Sequence, residues 1–538
     1  MKSLNAASLF ALVAAAQVPY SPCPLIGNYF PAPSRSSIID AKLPAAFGTA
    51  FSDLVQHSGH PVYGPISANT TSFSVIYFYG NAGDQNSTDP SPVLFEYHHT
   101  SAYDAAHNVS AITANTKLPL AEVTMVMTVY TWLATMGDRW DEPITKYLPE
   151  LGARQEGDLG IPWSDITIGS LAGHMSGLPR LSKTCTIGAP CGTKELFEGM
   201  AAQGPTFLPD SSPVVSYAAF QVLALAIERS SETPNDSFAS IMRERVLTPL
   251  SMSSTGFLGE NSCSIRGLNM TKHGEQAALS MVSSTHDLAL AGQAMLSATL
   301  ASPAATRRWT HRSADTSNLR NGAGLPWEVY RAGPKPISPI IDALTKTGAL
   351  GPYASYFGLV PELNVGFAIL ARDFSLHGEA PDLNAYADVA SESISLLVKV
   401  AAKETVARYA GAFTSPSGGS IVLGLTDGSS PGLEVKTWTS GQDGSKNVKE
   451  EVADAAGIDV GSLDYRLYPT NVQNSTRRQF VAVLQDKSAP VDAGTPTCIT
   501  WQDIGALEDV PYQFVFEMGH NRTVVLVTVQ NSETYARS

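Results

Sequence analysis

From Asn115 to Met136 the sequence predicts an almost unbroken helix, apolar on most faces, which Gly137 ends. A helix that is apolar on most faces offers no side to water and has to lie inside a core. The fold around it must therefore be large. The chain can supply one: it has 538 residues, 43% hydrophobic and 16% charged, which is too apolar for disorder. Pro119 falls in the first turns of this predicted helix and is expected to distort it.

Other periodic stretches divide the chain. Thr71–Tyr79 and Val93–His98 are β-rich runs separated by a Gly/Asn/Asp/Pro loop, the pattern of a hairpin with a long connection. After Tyr217, an apolar stripe of Phe220, Leu223, Ala224 and Ile227 predicts a second helix. Tyr353–Val360 and Val365–Ala371 flank Pro361-Glu362-Leu363-Asn364, a second hairpin signature. From about Glu404 the helical pattern vanishes, and short β-rich runs such as Ser420–Leu425, Leu433–Thr439, Phe480–Leu484, Gln513–Glu517 and Thr523–Val529 alternate with Gly/Ser/Asp turns. These runs predict a separate all-β, barrel-like module over residues 404–538, following a main domain over 41–403 and an extended Pro- and Ser-rich lead-in over 17–40.

Residues 1–16 read as an export signal, with Lys2 as the positive end, Leu9–Val13 as the apolar core and Ala14-Ala15-Ala16 before the cleavage point at Gln17. A secreted location agrees with seven Asn-x-Ser/Thr sequons, at Asn69, Asn86, Asn108, Asn235, Asn269, Asn474 and Asn521. It also suits five cysteines, of which Cys185 and Cys191 flank a short turning loop and are expected to form a local disulfide. Cys23, Cys263 and Cys498 leave an odd thiol whose pairing stays open. The net charge of −14, without a basic cluster, argues against a nucleic-acid partner. No later stretch is long and apolar enough to span a membrane. Neither a metal-ligand spacing nor a phosphate loop appears among the motifs, so no cofactor or metal is expected.

The chemistry-bearing residues come in a telling order. Ala114-Asn115-Thr116-Lys117 precedes the apolar helix, Tyr217 follows in Ser-Tyr-Ala-Ala, and Lys346-Thr347-Gly348 comes later. Between them lie Asp141–Pro149, the Ile166–Pro179 stretch with Gly173-His174-Met175-Ser176-Gly177-Leu178-Pro179, Thr248–Met252 and Met281–Ala289. Taken together over about residues 40–400, these segments resemble the serine β-lactamase and penicillin-binding family, in its class C branch with esterase and transesterase relatives. The C-terminal β module is similar to that of secreted fungal members.

The resemblance implies an α+β fold, an antiparallel sheet with a helical lobe. It also implies a cleft in which a serine attacks, a lysine one helical turn on manages its proton, and Lys-Thr-Gly holds the substrate carboxylate. On this reading the serine is replaced by Ala114, and the Asn two places after the tyrosine by Ala219. The catalytic set that remains is Lys117, Tyr217 and Lys346, with the two lysines acidifying the phenol. Ala114 and Ala349 would supply oxyanion N–H groups, and Thr347 and Gly348 would bind substrate. Ser110, Thr113 and Thr116 are nearby hydroxyls that could stand in for the nucleophile, and His174 reads as a structural hydrogen-bonding residue. Three functions compete: a tailoring enzyme using non-covalent acid–base chemistry on a small ester, lactone or carbonyl-containing metabolite; a pseudoenzyme that binds a ligand through the old cleft; and a hydrolase with a displaced nucleophile.

Overall fold

A computed structural model describes residues 20, 22–23, 25, 29–80, 91–152, 160–183, 191–231, 236–259, 265–266, 268, 276–332, 340–426, 430–441, 446–489, 498–508, 510–518, 524–528 and 533–537. The chain forms two compact units, one of residues 34–332 and 341–396, the other of residues 1–33, 333–340 and 397–538.

The first unit is built on an eight-stranded antiparallel sheet in the order Val93–His99, Ser72–Tyr79, Val365–Arg372, Tyr353–Val360, Ile341–Leu350, Glu328–Ala332, Asn321–Ala323, Ala314–Asp315. Both predicted hairpins are there, with Phe73 opposite His99 and Val360 opposite Val365. All eight residues of Ser72–Tyr79 are buried, which is why this strand is a continuous apolar run rather than an alternating one. On one face Tyr77 stacks on Phe47 at 4.7 Å and Phe73 meets Phe51, both phenylalanines coming from the Leu43–Gln56 helix. On the other face Phe78 lies against Gly292 of the Thr285–Leu296 helix, so closely that a Cβ at that glycine would come within 2.2 Å of the ring.

The apolar helix is at the centre, but it is shorter than the sequence suggests. It runs from Thr124 to Met136, is buried without exception from Thr124 to Leu133, and ends at Gly137 with φ 74°. Its threonines bury their hydroxyls at low cost by donating to backbone carbonyls, Thr128 to Ala277 at 2.7 Å and Thr131 to Met127 at 2.7 Å. Residues 115–123 are not part of it. Leu118–Pro119 is instead a short strand against Met281–Ser283, and a 3₁₀ turn over Ala121–Val123 leads into the helix. Proline explains the difference: it lacks the N–H a helix interior needs and steers the residue before it towards extended backbone.

In the second unit nine antiparallel strands include Gly411–Thr414, Ser420–Gly424, Leu433–Ser440, Leu463–Gln473, Arg477–Asp486 and Gln513–Met518. Ser420–Gly424 pairs with both the strand before it and the strand after it, so the ladder of pairings returns on itself. Trp438, Tyr465, Phe514 and Tyr535 fill its interior. Two details depart from the all-β expectation: a helix persists from Asn384 to Tyr409, past residue 404, and another covers Val448–Ala456. Cys23 and Cys498 form a disulfide within this unit, which pairs two of the three cysteines left open by the sequence. Cys191 is disulfide-bonded, while its predicted partner Cys185 lies outside the described residues. Residues 1–16, Asn86, Asn235, Asn269 and Asn521 also lie outside them, whereas Asn69, Asn108 and Asn474 are exposed. Among the described residues no helix is long and apolar enough to cross a membrane, and no cluster of His, Cys, Asp or Glu could hold a metal ion.

Candidate active site

The site begins at the turn that precedes the buried helix. Leu120 donates its N–H to Met281 at 2.8 Å, and its carbonyl accepts from the Ser355 hydroxyl at 2.6 Å. Ala121 then takes the left-handed region at φ 45°, a conformation that costs a residue with a Cβ roughly 1 kcal/mol. The turn is thus pinned at both ends and presents the next residue, Glu122, in a fixed direction. Gly348 is needed for this approach, because a Cβ there would lie 2.4 Å from the Leu120 carbonyl oxygen and 2.9 Å from the Glu122 nitrogen.

The Glu122 carboxylate joins two elements. One oxygen accepts from the Tyr217 hydroxyl at 2.6 Å, and the other accepts from the backbone N–H of Ala349 at 2.9 Å. Tyr217 is the first residue of the Tyr217–Ser230 helix, held there by its cap: Ser216 accepts from the Ala219 N–H and donates to Pro179. The Tyr217 N–H in turn donates to the Arg180 carbonyl at 2.8 Å, so the Ser176–Arg180 segment is docked against the helix start. This brings the Arg180 guanidinium to Tyr217, where it donates to the phenol oxygen at 2.6 Å and lies 3.9 Å from Glu122. Burial, and after it the hydrogen bond to Glu122, push the Tyr217 phenol up to about 12, so it is protonated at neutral pH. The expected acidified phenol is not found: a carboxylate, rather than a pair of lysines, is the phenol's nearest charge apart from Arg180.

Lys346, Thr347, Gly348 and Ala349 lie on the central strand Ile341–Leu350. The Lys346 side chain is 2% exposed, and its Nζ donates to Glu328 on the neighbouring strand and to the Thr347 carbonyl. The second oxygen of Glu328 accepts from the Thr347 N–H at 3.0 Å and the Thr347 hydroxyl at 2.9 Å. A buried ammonium needs such a partner, since an unpaired charge there would be costly.

Glu122, Arg180, Glu328, Lys346, Thr347, Gly348, Ala349 and Asp382 are among the residues lining one cleft of about 370 Å³. A second cavity of about 490 Å³ adjoins it, sharing Val215, Glu328 and Tyr356 and reaching His174. These volumes suit a small organic molecule. His174 is buried, with one ring nitrogen against the Pro326 carbonyl at 3.2 Å, and burial holds its imidazole down at about 4.

Of the residues read from sequence, Tyr217, Lys346, Thr347, Gly348 and Ala349 are brought together here. Ala114 and Lys117 are not. Ala114 sits in a turn whose carbonyl accepts from the His286 N–H at 3.0 Å, and Lys117 precedes the Leu118–Pro119 strand instead of lying one helical turn beyond a reacting atom. The residue opposite the Ala349 N–H is Glu122, and the position three further on, where the family's lysine is expected, holds the fully buried Met125. Glu122, Arg180 and Glu328 were missed. A signal for the first was present, because Glu122 is the sole acidic residue between Asn115 and Met136.

Comparison with known proteins identifies the family of the chain. The beta-lactamase family model matches residues 89–392, more than half of the chain. A model described as the C-terminal domain of beta-lactamase-like proteins matches residues 401–534. The chain is 26% identical to a beta-lactamase-like protein of Arthroderma benhamiae, covering 77% of this chain and 76% of that protein. It is 21% identical to a probable hydrolase M10 of a Phoma species, covering 84% and 78% respectively. Among solved structures, a class C beta lactamase from Rhodobacter sphaeroides is 18% identical, covering 65% of this chain and 99% of that one, with a TM-score of 0.46. The chain belongs to the beta-lactamase family.

Proposed function

We propose that the protein is a secreted tailoring enzyme that acts on a small ester, lactone or carbonyl-containing metabolite by acid–base chemistry, without a covalent acyl intermediate. The observation that carries this reading is the Glu122 carboxylate held between the Tyr217 hydroxyl and the Ala349 N–H. A carboxylate is a competent general base, and the protonated phenol beside it is a donor within proton-transfer distance. With an ester, Glu122 takes a proton from a water as that water's oxygen bonds to the carbonyl carbon. Protonation weakens Glu122 as an acceptor and releases the Ala349 N–H, which then donates to the oxyanion formed from the carbonyl oxygen. The tetrahedral carbon then expels the alkoxide, which receives the proton back from the Glu122–Tyr217 pair. Arg180 supplies positive charge next to both groups. The Phoma relative's description as a probable hydrolase supports the hydrolytic direction. Exposed Asn69, Asn108 and Asn474 and the Cys23–Cys498 disulfide support passage through the secretory pathway.

One observation favours the pseudoenzyme reading instead: Glu122 and Glu328 already satisfy the donors that a substrate would use. Glu122→Gln separates the two, because it keeps shape and removes the base. An enzyme loses about 10² to 10⁴-fold in turnover of its substrate, at an unchanged melting temperature. Full biological function in this variant would end the enzymatic reading.

A further inference from the structure

The resemblance to the family implies that the Lys-Thr-Gly strand is where a substrate carboxylate would be held. Here the strand already holds one. One oxygen of Glu328 takes the Lys346 ammonium, and the other takes both the N–H and the hydroxyl of Thr347. Both donors of Thr347 and the ion pair of Lys346 are thus committed to Glu328, and a second N–H of the ammonium goes to the Thr347 carbonyl, so an incoming anion has to displace Glu328 to gain the same contacts. The tether matters, because Glu328 lies on the adjacent strand, where its backbone is paired with Thr345 and its own carbonyl accepts the Thr345 hydroxyl. An internal carboxylate fixed in this way competes at a high effective concentration against any free one.

The rest of the cleft reinforces the exclusion. Its described lining carries three carboxylates, Glu122, Glu328 and Asp382, against two cations, Lys346 and Arg180. Arg180 is itself engaged by Tyr217 and Glu122. An incoming carboxylate thus enters a described lining that holds more negative than positive side chains.

We propose that Glu328 is a specificity-determining residue that fills the carboxylate subsite from within, so that the substrate is a neutral molecule, an ester, lactone or ketone with no free carboxylate beside its reacting carbonyl. This rests on reading the Glu122 cleft as the site of reaction, but it can be tested by binding alone. Phenylacetate and its neutral counterpart phenylacetamide serve as probes, with affinity measured by ligand-observed NMR at neutral pH. Phenylacetate should bind Glu328→Ala at least about ten-fold more tightly than it binds the wild-type protein, because removing a like charge and freeing its donors act in the same direction. Phenylacetamide should change little. Should the alanine variant fail to fold, Glu328→Gln provides the same comparison with the volume kept. Adding Lys346→Met should erase the gain, which locates it. If phenylacetate binds the Glu328 variants no better than wild type, or if the gain survives Lys346→Met, the proposal is overturned. A failure of Glu122→Gln to change turnover would strike only at the chemistry and leave this binding result standing.

Discussion

The Tyr217 hydroxyl donates to the Glu122 carboxylate at 2.6 Å across 95 residues of sequence, with Arg180 donating to the phenol from the other side. This arrangement makes the tyrosine a donor rather than a base. A phenol held near 12 does not give up its proton at neutral pH, so proton removal falls to the carboxylate.

Kinetics should therefore distinguish Tyr217 from Lys117. Tyr217→Phe removes a hydroxyl in contact with the base and should cost about 10²-fold in turnover. Lys117→Ala should leave turnover within about two-fold, since nothing places that side chain in the cleft. Steady-state rates on the same substrate, with melting temperatures as the control, decide between them.

Gly348→Ala tests the closeness of strand and turn. The new methyl would fall 2.4 Å from the Leu120 carbonyl, which is backbone and cannot swing aside. Denaturant unfolding should show a loss of about 1 to 3 kcal/mol, the usual cost of overpacking. Activity should fall with it, because Ala349 would be pushed away from Glu122.

Acid should weaken the first unit through His174. Its folded imidazole is held at about 4, against an ordinary value of 6.5, by burial and then by the Lys346 charge. The unfolded chain therefore binds the extra proton first, and the native state loses stability as pH falls from about 6.5 to 4, by up to about 3 kcal/mol. His174→Asn suits the residue's φ of 63° and should flatten unfolding free energy across that window. An unchanged slope would assign the acid sensitivity to other groups.

Intact-mass spectrometry with a fluorophosphonate or a penicillin should reveal no adduct. Glu122, not a hydroxyl, faces the Ala349 N–H, and Met125, one helical turn on, carries no amine that could activate one. A labelled residue anywhere in the cleft would restore the displaced-nucleophile reading.

Much of the scaffold could be read from the residues themselves. The Thr71–Tyr79 run reads as a strand and the helix after Tyr217 is given by its apolar stripe, while the burial of both strand faces and the Ser216 cap come from the structure. Lys346-Thr347-Gly348 and Tyr217 were found as motifs, and the fold brings them together. The start of the central helix was misread because Ala114-Asn115-Thr116-Lys117 has the spacing of the missing motif. Pro119 marked the true limit: a helix could not run through it from Asn115, and the turn that aims a side chain into the cleft comes just after. Arg180 and Glu328 carried no such mark. The first reaches the site only because its loop docks on the Tyr217 helix, and the second only because of strand register, neither of which is local.

The Cys23–Cys498 bond makes residues 24–497 a covalent loop. A protease that nicks the protein once anywhere within that loop releases nothing. The pieces stay one molecule, run together on a non-reducing gel, and part only when a thiol is added. A digestion followed solely under oxidising conditions would report an uncut protein after the backbone had been severed.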